Sequence, residues 1–341
     1  MSTRDIRELR IGMIGAGRHA QANLYPSLAA LGVPITSIST RSIATAAAAA
    51  RRHGADHAHA DYRTMLAQDR LDAVIVSLDP DDQASVTETC LAAGVDVLVE
   101  KPLGLDPATA QRTADAAALH DRIAMVAFMK RFAPCYVRVR DLIGETAEFG
   151  AVQSFEMSFA FASWTDQLRD DTFLKLAAIH MVDLLRHLLG EVAIVRGIAN
   201  STDADINQAF AVRQVSGVVG TINLVALPAW ERGHEHLTIS GRHGYVVADN
   251  QTSVRYHRHQ PGGTGGSVGP VRWQALDEHT TVTESVVSTG SGGLQDLYRR
   301  GFVGEVEQFL NSVVTREQPS CSAADNVATM ALCEQMLAAL D

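Results

Sequence analysis

Alternating apolar and helical segments in the first 130 or so residues restrict the possible folds more than any other feature of the chain. Five apolar runs predict strands: RIGMIGAG, PITSIST, LDAVIVSL, VDVLVEKP and RIAMVAFM. Helical segments separate them, such as IATAAAAARRHG, which ends at a helix-stopping glycine. Strands that alternate with helices of this length form βαβ units around a parallel sheet. We therefore predict an α/β fold that begins with a parallel, helix-covered sheet.

Small residues follow the first predicted strand. The chain reads Gly15-Ala16-Gly17-Arg18-His19-Ala20, a GxGxxA pattern that runs directly into a helical segment. Gly15 permits a tight turn, Gly17 lets the backbone approach a pyrophosphate, and Ala20 allows helix and strand to pack closely. The helix then presents free N–H groups to the phosphates. In this position the pattern predicts a Rossmann domain, with these six residues at the cofactor.

The residues that end the second strand distinguish NAD from NADP. Ser39-Thr40-Arg41-Ser42 has no carboxylate where NAD enzymes usually carry an acidic residue for the ribose 2′-hydroxyl. An arginine with neighbouring hydroxyls suits a 2′-phosphate instead. We predict NADP as the preferred cofactor, with NAD possible, and Thr40, Arg41 and Ser42 as contacts. The alternative is that Arg41 stacks on the adenine or faces solvent.

The second half of the chain has a different pattern. Segments such as GAVQSFEMSFAFAS, INQAFAVRQV and HEHLTISGRHGYVVADN contain period-two stretches with few helices between them, which is typical of an antiparallel sheet. Glycine- and serine-rich stretches between residues 261 and 295 predict loops. We predict a Rossmann NAD(P)-binding domain at residues 1–127. Residues 128–341 are predicted to form an α+β domain with a large, mainly antiparallel open sheet, whose last helices are able to pack back on the first domain.

Composition excludes several classes of function. A net charge of −10 and a pI near 5.7 argue against nucleic acid and against anionic membrane surfaces. No apolar run approaches the ~18 residues of a membrane span, and we expect no signal peptide. The four cysteines form no CxxC pair, so neither a disulfide framework nor a zinc site is indicated. A cytoplasmic location is expected.

The stretch at residues 173–190, FLKLAAIHMVDLLRHLLG, sets polar groups in an otherwise apolar segment. On a helix at about 100° per residue the polar groups share one face, which Leu176 interrupts. A polar stripe is more often a solvated surface than a site, so both interpretations stay open at this point. The polar residues are Lys175, His180, Asp183, Arg186 and His187.

Three further motifs follow GxGxxA in order: Glu100-Lys101-Pro102, FMKRF at residues 128–132, and IHMVDLLRHLLG in the second half. In this order they resemble the Gfo/Idh/MocA family, which includes glucose-fructose oxidoreductase and inositol dehydrogenase, over nearly the whole chain. The resemblance implies a Rossmann domain and an α+β domain whose open sheet forms the contact of a homodimer or homotetramer. It also implies hydride transfer to or from sugars or cyclitols.

The resemblance implies individual roles as well. Lys101 takes the role of the family's lysine near the nicotinamide and the reacting hydroxyl, His180 that of the catalytic histidine, and Asp183 a substrate-binding role. Oxidation of an alcohol needs a partner for the hydroxyl proton. Histidine suits this near neutral pH, and lysine stabilises a developing oxyanion. The alternatives are a surface salt bridge for Lys101 and a buried, backbone-bonded histidine at His180.

Two positions depart from the family pattern. The family commonly has an aspartate four residues before the histidine, where this chain has Leu176. It often has a histidine after the third strand, where this chain has Gln83. Without the aspartate, Lys101 and His180 lack a third member, which indicates an altered substrate, an altered mechanism or lost catalysis.

Further residues complete the predicted site. Lys175, Arg131 and Trp164 are expected to contact the substrate, although Arg131 is equally suited to bracing the hinge between domains and Trp164 to simple packing. His234-Glu235-His236 places two histidines on one strand face, but no third ligand is evident, so no metal is predicted. Additional predicted cofactor contacts are Ser77, Leu78, Gln83, Glu100 and Lys101.

We therefore predict an NADP-preferring oxidoreductase that transfers hydride to or from a hydroxyl or keto carbon of a sugar, sugar derivative or cyclitol. Two alternatives stay open: a nicotinamide-dependent glycoside-cleaving relative, and a non-catalytic cofactor-binding regulator that lost activity with the aspartate. The only predicted partners are the small-molecule substrate and further copies of the chain, with no nucleic acid and no membrane. The antiparallel sheet is expected to present a flat apolar face that joins the subunits.

Overall fold

Two β-sheets organise the chain, one parallel and one mainly antiparallel. The computed structural model describes residues 4–165, 168–202, 204–259, 280–285 and 295–341. These residues fall into two compact units. The first comprises Met1–Ala133, Leu174–Leu184 and Gly290–Gln335, and the second comprises Pro134–Phe173, Leu185–Thr289 and Met336–Asp341. The segment with His180 and Asp183 thus belongs to the same unit as the parallel sheet, while the domain boundary after residue 127 stays a prediction.

The sheet of the first unit has six parallel strands in the order β3-β2-β1-β4-β5-β6. Strands β1, β4, β5 and β6 are buried along their whole length, as expected where helices cover both faces. This confirms the predicted parallel α/β sheet. The edge strand β3 was not predicted, because its three residues, HAH, are too few and too polar for a periodic signal. The strands are β1 Ile11–Ile14, β2 Ile35–Ser39, β3 His57–His59, β4 Ala73–Val76, β5 Asp96–Glu100 and β6 Ala124–Ala127.

Helices connect these strands, and their ends carry local stop and start signals. The Ser42 side chain accepts a hydrogen bond from the backbone N–H of Thr45 at the start of α2, which Gly54 ends with a φ of 71°. Asp106 caps α5 in the same way. The helices are α1 Tyr25–Ala30, preceded by a π-helical turn at Ala20–Leu24, α2 Ile43–His53, α3 Tyr62–Gln68, α4 Pro80–Ala92 and α5 Pro107–Leu119.

The second unit contains an eight-stranded sheet in the order β14-β13-β12-β11-β7-β10-β9-β8. Only the β7–β10 pair is parallel within the described strands, so the predicted mainly antiparallel sheet is confirmed. The last strand lies in the segment predicted as loops, whose residues 261–279 and 286–294 are outside the described ranges. The strands are β7 Val152–Phe161, β8 Val192–Ala199, β9 Ile206–Gln214, β10 Val219–Ala226, β11 His234–Gly241, β12 Gly244–Asp249, β13 Ser253–Arg258 and β14 Thr280–Glu284.

One face of this sheet is polar where the central strands meet. The register aligns Glu156 with Thr221, and Thr221 with Ala211, so that every second residue of neighbouring strands shares a face. Glu156, Thr221, Asn223 and Ala211 on that face are exposed, while the alternate residues, such as Met157, are buried. Ile198 and Val219, on the same face, are exposed apolar residues, at 67% and 50% exposure. The face is therefore mixed in polarity, and both the flat apolar face and subunit contact through this sheet stay predictions.

The segment at residues 173–190 is not one continuous helix. It contains the end of α8, a π-helical turn at Leu174–Ala178, and then α9. A π-helical turn bonds residue i to i+5, so the predicted spacing of about 100° per residue does not hold across it. Asp183 and Arg186 are buried, with 1% and 7% exposure, which rules out a solvated polar face.

The remaining helices come before, within and after the strands of the second sheet in sequence. No helix among the described ranges is long and apolar enough to cross a bilayer. Both predicted closing helices are present, as α11 and α12. The helices are α6 Pro134–Gly144, α7 Thr146–Phe149, α8 Asp170–Phe173, α9 Ile179–Leu189, α10 Gln295–Arg299, α11 Phe302–Thr315 and α12 Ala323–Ala338, with a 3-10 turn at Met129–Phe132.

Candidate active site

The glycine-rich turn after β1 is shaped for close approach of a ligand. Gly15 has a φ of +104°, and a Cβ atom there would lie 2.0 Å from the carbonyl oxygen of Ser77, so no other residue fits. A Cβ atom on Gly17 would meet nothing within 4 Å, because this position faces open space. Ala20 is fully buried. These are the three properties that a pyrophosphate-binding turn requires.

A cavity of about 840 Å³ opens beside this turn. Its volume is in the usual range for a site that encloses a cofactor. The carboxyl ends of β1, β2 and β4 supply much of its lining, together with the acidic residues Asp61, Asp79 and Asp82. Predicted cofactor contacts that line it are Gly15, Ala16, Gly17, Arg18, His19, Thr40, Arg41, Ser42, Ser77 and Leu78.

The residues after β2 differ in how free their side chains are. Arg41 has a side chain that is 92% exposed, with its guanidinium 4.0 Å from the Asp79 carboxylate. The Thr40 hydroxyl donates to the backbone oxygen of Ser42 at 2.8 Å. The Ser42 hydroxyl accepts from the backbone of α2 but keeps its own proton for a ligand. Arg41 and Ser42 are thus better placed to bind an anion than Thr40.

Lys101 lies just beyond β5, among charged neighbours. Its Nζ donates to the backbone oxygen of Leu176 at 2.7 Å. Glu100 is buried, and its Oε1 is 2.7 Å from Nε2 of His19. Burial lowers the pKa of Lys101; Glu100 and Glu305 oppose this shift, and Lys130 adds to it. The lysine therefore holds its proton less tightly than a solvated amine does.

His180 lies near the start of α9 with its ring partly exposed. Its Nδ1 atom is buried and makes no hydrogen bond with any described residue. The ring meets that of Phe128 edge-on, with centroids 6.1 Å apart. Burial, followed by the positive charges of Lys101 and Lys130, lowers the pKa of His180 well below its usual value. The imidazole is therefore neutral near pH 7, in the form that accepts a proton.

Arg131 and Asp183, both predicted to bind substrate, bind each other. The Arg131 guanidinium donates to the two carboxylate oxygens of Asp183 at 2.7 and 2.5 Å. It also donates to Asp325 at 2.5 Å and to the backbone oxygen of Ser320 at 2.8 Å. The side chains of Arg131 and Asp183 are only 3% and 1% exposed. The pair forms a buried link between the Met129–Phe132 turn, α9 and α12.

Three other predicted residues have different surroundings. Lys175 Nζ forms a salt bridge with Glu334 at 2.6 Å. The amide of Gln83 is buried and donates to the backbone oxygen of Pro102 at 3.3 Å. Trp164 belongs to the second unit, where its ring packs against Phe173 at 6.1 Å between centroids.

Two buried groups near Lys101 were missing from the sequence analysis. Lys130, in the Met129–Phe132 turn, is 3% exposed. Glu305, in the first turn of α11, is fully buried, and neither carboxylate oxygen has a hydrogen-bond partner among the described residues.

The sequence does hold a signal for Lys130. The chain has 29 lysines and arginines, of which only Lys101, Lys130 and Lys175 are lysines. All three belong to the first unit. Arginine stays charged in proteins, whereas a buried lysine changes its protonation readily. In a chain with so much arginine, the three lysines therefore indicate positions where a cation that can lose its proton is needed.

The Arg131–Asp183 link gives a prediction about stability. Asp183→Asn removes the buried carboxylate that binds two donors of Arg131 and leaves only the partly exposed Asp325 to balance the charge, so we expect the free energy of unfolding to fall by about 3–5 kcal/mol. Asp141→Asn is the control, because Asp141 pairs with Arg140 on the surface and such pairs contribute about 0–1 kcal/mol. Urea unfolding of both variants measures the difference. Equal unfolding midpoints would contradict the structural role of Asp183.

Comparison with known proteins shows which family the first part of the chain matches. Residues 9–128 match the Gfo/Idh/MocA model, described as an oxidoreductase family with an NAD-binding Rossmann fold. D-xylose 1-dehydrogenase (NADP(+)) 2 of Haloferax volcanii is 27% identical over 334 residues, covering 94% of each chain. Inositol 2-dehydrogenase of Rhizobium meliloti is 23% identical, covering 96% of this chain and 95% of its own.

A solved structure extends the likeness to the whole fold. Levoglucosan dehydrogenase in complex with NADH aligns with a TM-score of 0.81 and 18% identity, over 97% of this chain and 96% of that one. At this identity the likeness concerns the fold alone. The matched Rossmann segment, with the GxGxxA and Glu100-Lys101-Pro102 motifs, confirms the resemblance predicted from the sequence: residues 9–128 match the Gfo/Idh/MocA oxidoreductase family, and the relatives that align with nearly the whole chain are named as sugar and inositol dehydrogenases.

Proposed function

We propose that the protein is an NADP-preferring oxidoreductase that transfers hydride to or from a hydroxyl or keto carbon of a sugar, sugar derivative or cyclitol. The observation that carries this proposal is the hydrogen bond from Lys101 to the backbone oxygen of Leu176, in the turn that leads into the helix with His180. All of these residues belong to the unit that also holds the dinucleotide-type turn. Relatives named as xylose and inositol dehydrogenases support the substrate class.

The residues of the turn fit a nicotinamide nucleotide, which supplies the hydride acceptor or donor when bound. The open space at Gly17 and the N–H groups of the helix that follows suit a pyrophosphate. Arg41, exposed at the cavity, suits a 2′-phosphate. The xylose enzyme is named for NADP, whereas the levoglucosan enzyme was solved with NADH, so NAD remains the alternative cofactor.

In this proposal His180 and Lys101 have different roles at the substrate oxygen: His180 moves its proton, and Lys101 stabilises its negative charge. Neutral His180 takes the hydroxyl proton as the alcohol is oxidised, and returns it in the reverse direction. An ammonium group has three N–H donors, and Leu176 uses one of those on Lys101, which leaves two for the substrate oxygen. The ammonium then stabilises the negative charge that develops there.

The other predicted substrate contacts receive different roles. Because Arg131 and Asp183 bind each other in a buried site, we assign them to holding α9, and with it His180, in place. Lys175 is engaged with Glu334, and its contact with substrate stays a prediction, as does that of Trp164. Net redox turnover separates this proposal from a glycoside-cleaving enzyme or a regulator.

The central test removes the two proposed catalytic groups. On a sugar or cyclitol that the wild type oxidises, we expect His180→Ala and Lys101→Met each to lower kcat by about 10²–10⁴-fold, because general acid–base help is lost. Cofactor affinity, measured by fluorescence titration, should stay near wild type. His120→Ala, at the end of α5, is the control. Full turnover by His180→Ala, or no turnover by the wild type on any polyol with either cofactor, would refute the proposal.

A second test concerns the choice of cofactor. Charge-assisted hydrogen bonds contribute roughly 1.5–3 kcal/mol, so Arg41→Ala should weaken NADPH binding about tenfold or more. NADH binding to the same variant should change little, because NADH has no 2′-phosphate. Arg51→Ala, an exposed arginine on α2, controls for general loss of positive charge. An unchanged ratio of NADPH to NADH affinity in Arg41→Ala would refute the 2′-phosphate contact.

A further inference from the structure

The Lys101 ammonium group is held by a backbone carbonyl and not by a carboxylate. Where family members commonly carry an aspartate, Leu176 offers only its backbone oxygen, to which Lys101 donates at 2.7 Å. A carbonyl orients the ammonium but brings no full negative charge. A partly buried amine that is to stay protonated needs such a charge nearby, because burial favours its neutral form. Glu100, the preceding residue, supplies one such charge, and position 176 supplies none.

Glu305 is an unexplained carboxyl group in the same unit. It is 0% exposed, and both of its oxygens lack a hydrogen-bond partner among the described residues. Such a group costs free energy, because it has lost its water without gaining a partner. Native proteins contain few such groups, which indicates that this one serves a purpose other than stability.

The position of Glu305 is fixed by close backbone packing. Helix α11 begins after Gly301, where a Cβ atom would lie 2.0 Å from the carbonyl oxygen of Met129. The start of α11 is therefore pressed against the turn that carries Lys130. The same helix also packs against β5, the strand that ends at Glu100 and leads into Lys101.

We propose that Glu305 is a positioning residue that supplies, from α11, the negative charge that position 176 lacks, and so keeps Lys101 protonated while the substrate oxygen becomes negative. The purpose of this charge rests on the proposed function, but its effect on Lys101 is measurable without substrate or cofactor. Charged and titratable groups on the surrounding elements are His19, Glu100, Lys101, Lys130, Arg131, His180, Asp183, Arg300, Cys321 and Asp325.

The direction of the effect follows from these neighbours. Burial, reinforced by the charges of Glu100 and Asp183, raises the pKa of Glu305 well above its usual value, and Lys101 partly opposes the shift. Glu305 therefore keeps its proton to a higher pH than an exposed carboxyl group does, and it carries a negative charge only above its raised pKa. Its place in the first turn of α11 assists ionisation, because the helix N-terminus is positive. The ionised carboxylate then raises the pKa of Lys101.

The test measures the pKa of Lys101 directly. The chain has only three lysines, so ¹³C-dimethylation of the amines gives a simple NMR spectrum in which Lys101→Met assigns one signal. An ionised carboxylate shifts a neighbouring amine by about 1–3 pKa units, so Glu305→Gln should lower the pKa of Lys101 by about one unit or more. Glu307→Gln, exposed on the same helix, should leave it unchanged.

Two further variants keep the test decisive. Glu305→Met fills a similar volume without polar atoms, so it should fold at least as stably as wild type and should lower the pKa of Lys101 as well. Leu176→Asp added to Glu305→Gln should raise that pKa again, because it returns a carboxylate to the position that lacks one. An unchanged Lys101 pKa in both single variants would overturn the inference.

The same measurements separate this inference from the proposed function. A lowered Lys101 pKa in Glu305→Gln supports the role of Glu305 even if no polyol is turned over, a result that would refute only the enzymatic proposal. Turnover of a polyol with an unshifted Lys101 pKa would refute only the role of Glu305.

A second inference rests on a different part of the first unit, at the edge strand β3. His57 Nδ1 and His59 Nε2 lie 2.9 and 2.6 Å from the two carboxylate oxygens of Asp69. All three candidate ligand atoms lie within 4.8 Å of one another. Alternate residues of a strand point to the same side, and Asp69 faces them from the end of α3. The side chains of His59 and Asp69 are 11% and 4% exposed, whereas that of His57 is 56% exposed.

We infer that this cluster binds a divalent transition metal such as Zn²⁺. Two imidazoles and one carboxylate form a ligand set that such ions prefer, with water completing the coordination. The exposed His57 leaves a path for the ion, and the buried Asp69 is already oriented by both rings. Small shifts of the three side chains allow ligand distances of about 2.0–2.2 Å.

Zinc binding to the untagged protein tests this inference, measured by competition with a chromogenic chelator. We expect one Zn²⁺ per chain, and a loss of affinity of at least about 10–100-fold in His57→Gln, which removes a ligand from an exposed position. His259→Gln, an exposed histidine outside the cluster, is the control. Less than one ion per chain, or an equal loss in both variants, would overturn the inference and leave the cluster as a set of hydrogen bonds that fastens β3 to α3.

Discussion

The buried ion pair between Arg131 and Asp183 is the contact on which the arrangement of the site depends. It joins a turn after the last strand of the parallel sheet to α9, and Asp325 brings α12 to the same guanidinium. These residues are far apart in the sequence, so the pair closes long loops of chain. Moving both charges out of water costs free energy. Hydrogen bonds to nearly every donor of the arginine offset that cost. His180 is about one helical turn from Asp183 on the same helix, so this contact also fixes the position of His180.

Local signals in the sequence were sufficient to predict the fold. The glycine at position 15, the helix-stopping Gly54 and the buried apolar strands all act through neighbouring residues, so they can be recognised in the chain alone. The GxGxxA turn was found for the same reason, whereas the role of Lys101 came from the resemblance to the Gfo/Idh/MocA family. The short edge strand β3 was not predicted, because its three residues are too few and too polar to give a periodic pattern.

Features that depend on distant partners were not predictable. The helical spacing placed Asp183 on a polar face, but its partner is Arg131, some fifty residues earlier, and the two neutralise each other in the interior. The π-helical turn before α9 also changes the spacing, and no local residue marks it. Glu305 looked like an ordinary acidic residue near a helix start, because only the packed structure shows that it lacks partners.

The hydrogen bond between Lys101 and the backbone of Leu176 has a consequence for how such a site can vary. Every residue has a carbonyl group, so this bond persists whichever side chain occupies position 176. The lysine's direction is therefore separated from the chemistry of that side chain. The residue there can be exchanged, and with it the charge beside Lys101, without loss of the ammonium group's orientation. Position 176 can therefore differ between related chains while the geometry of Lys101 stays the same.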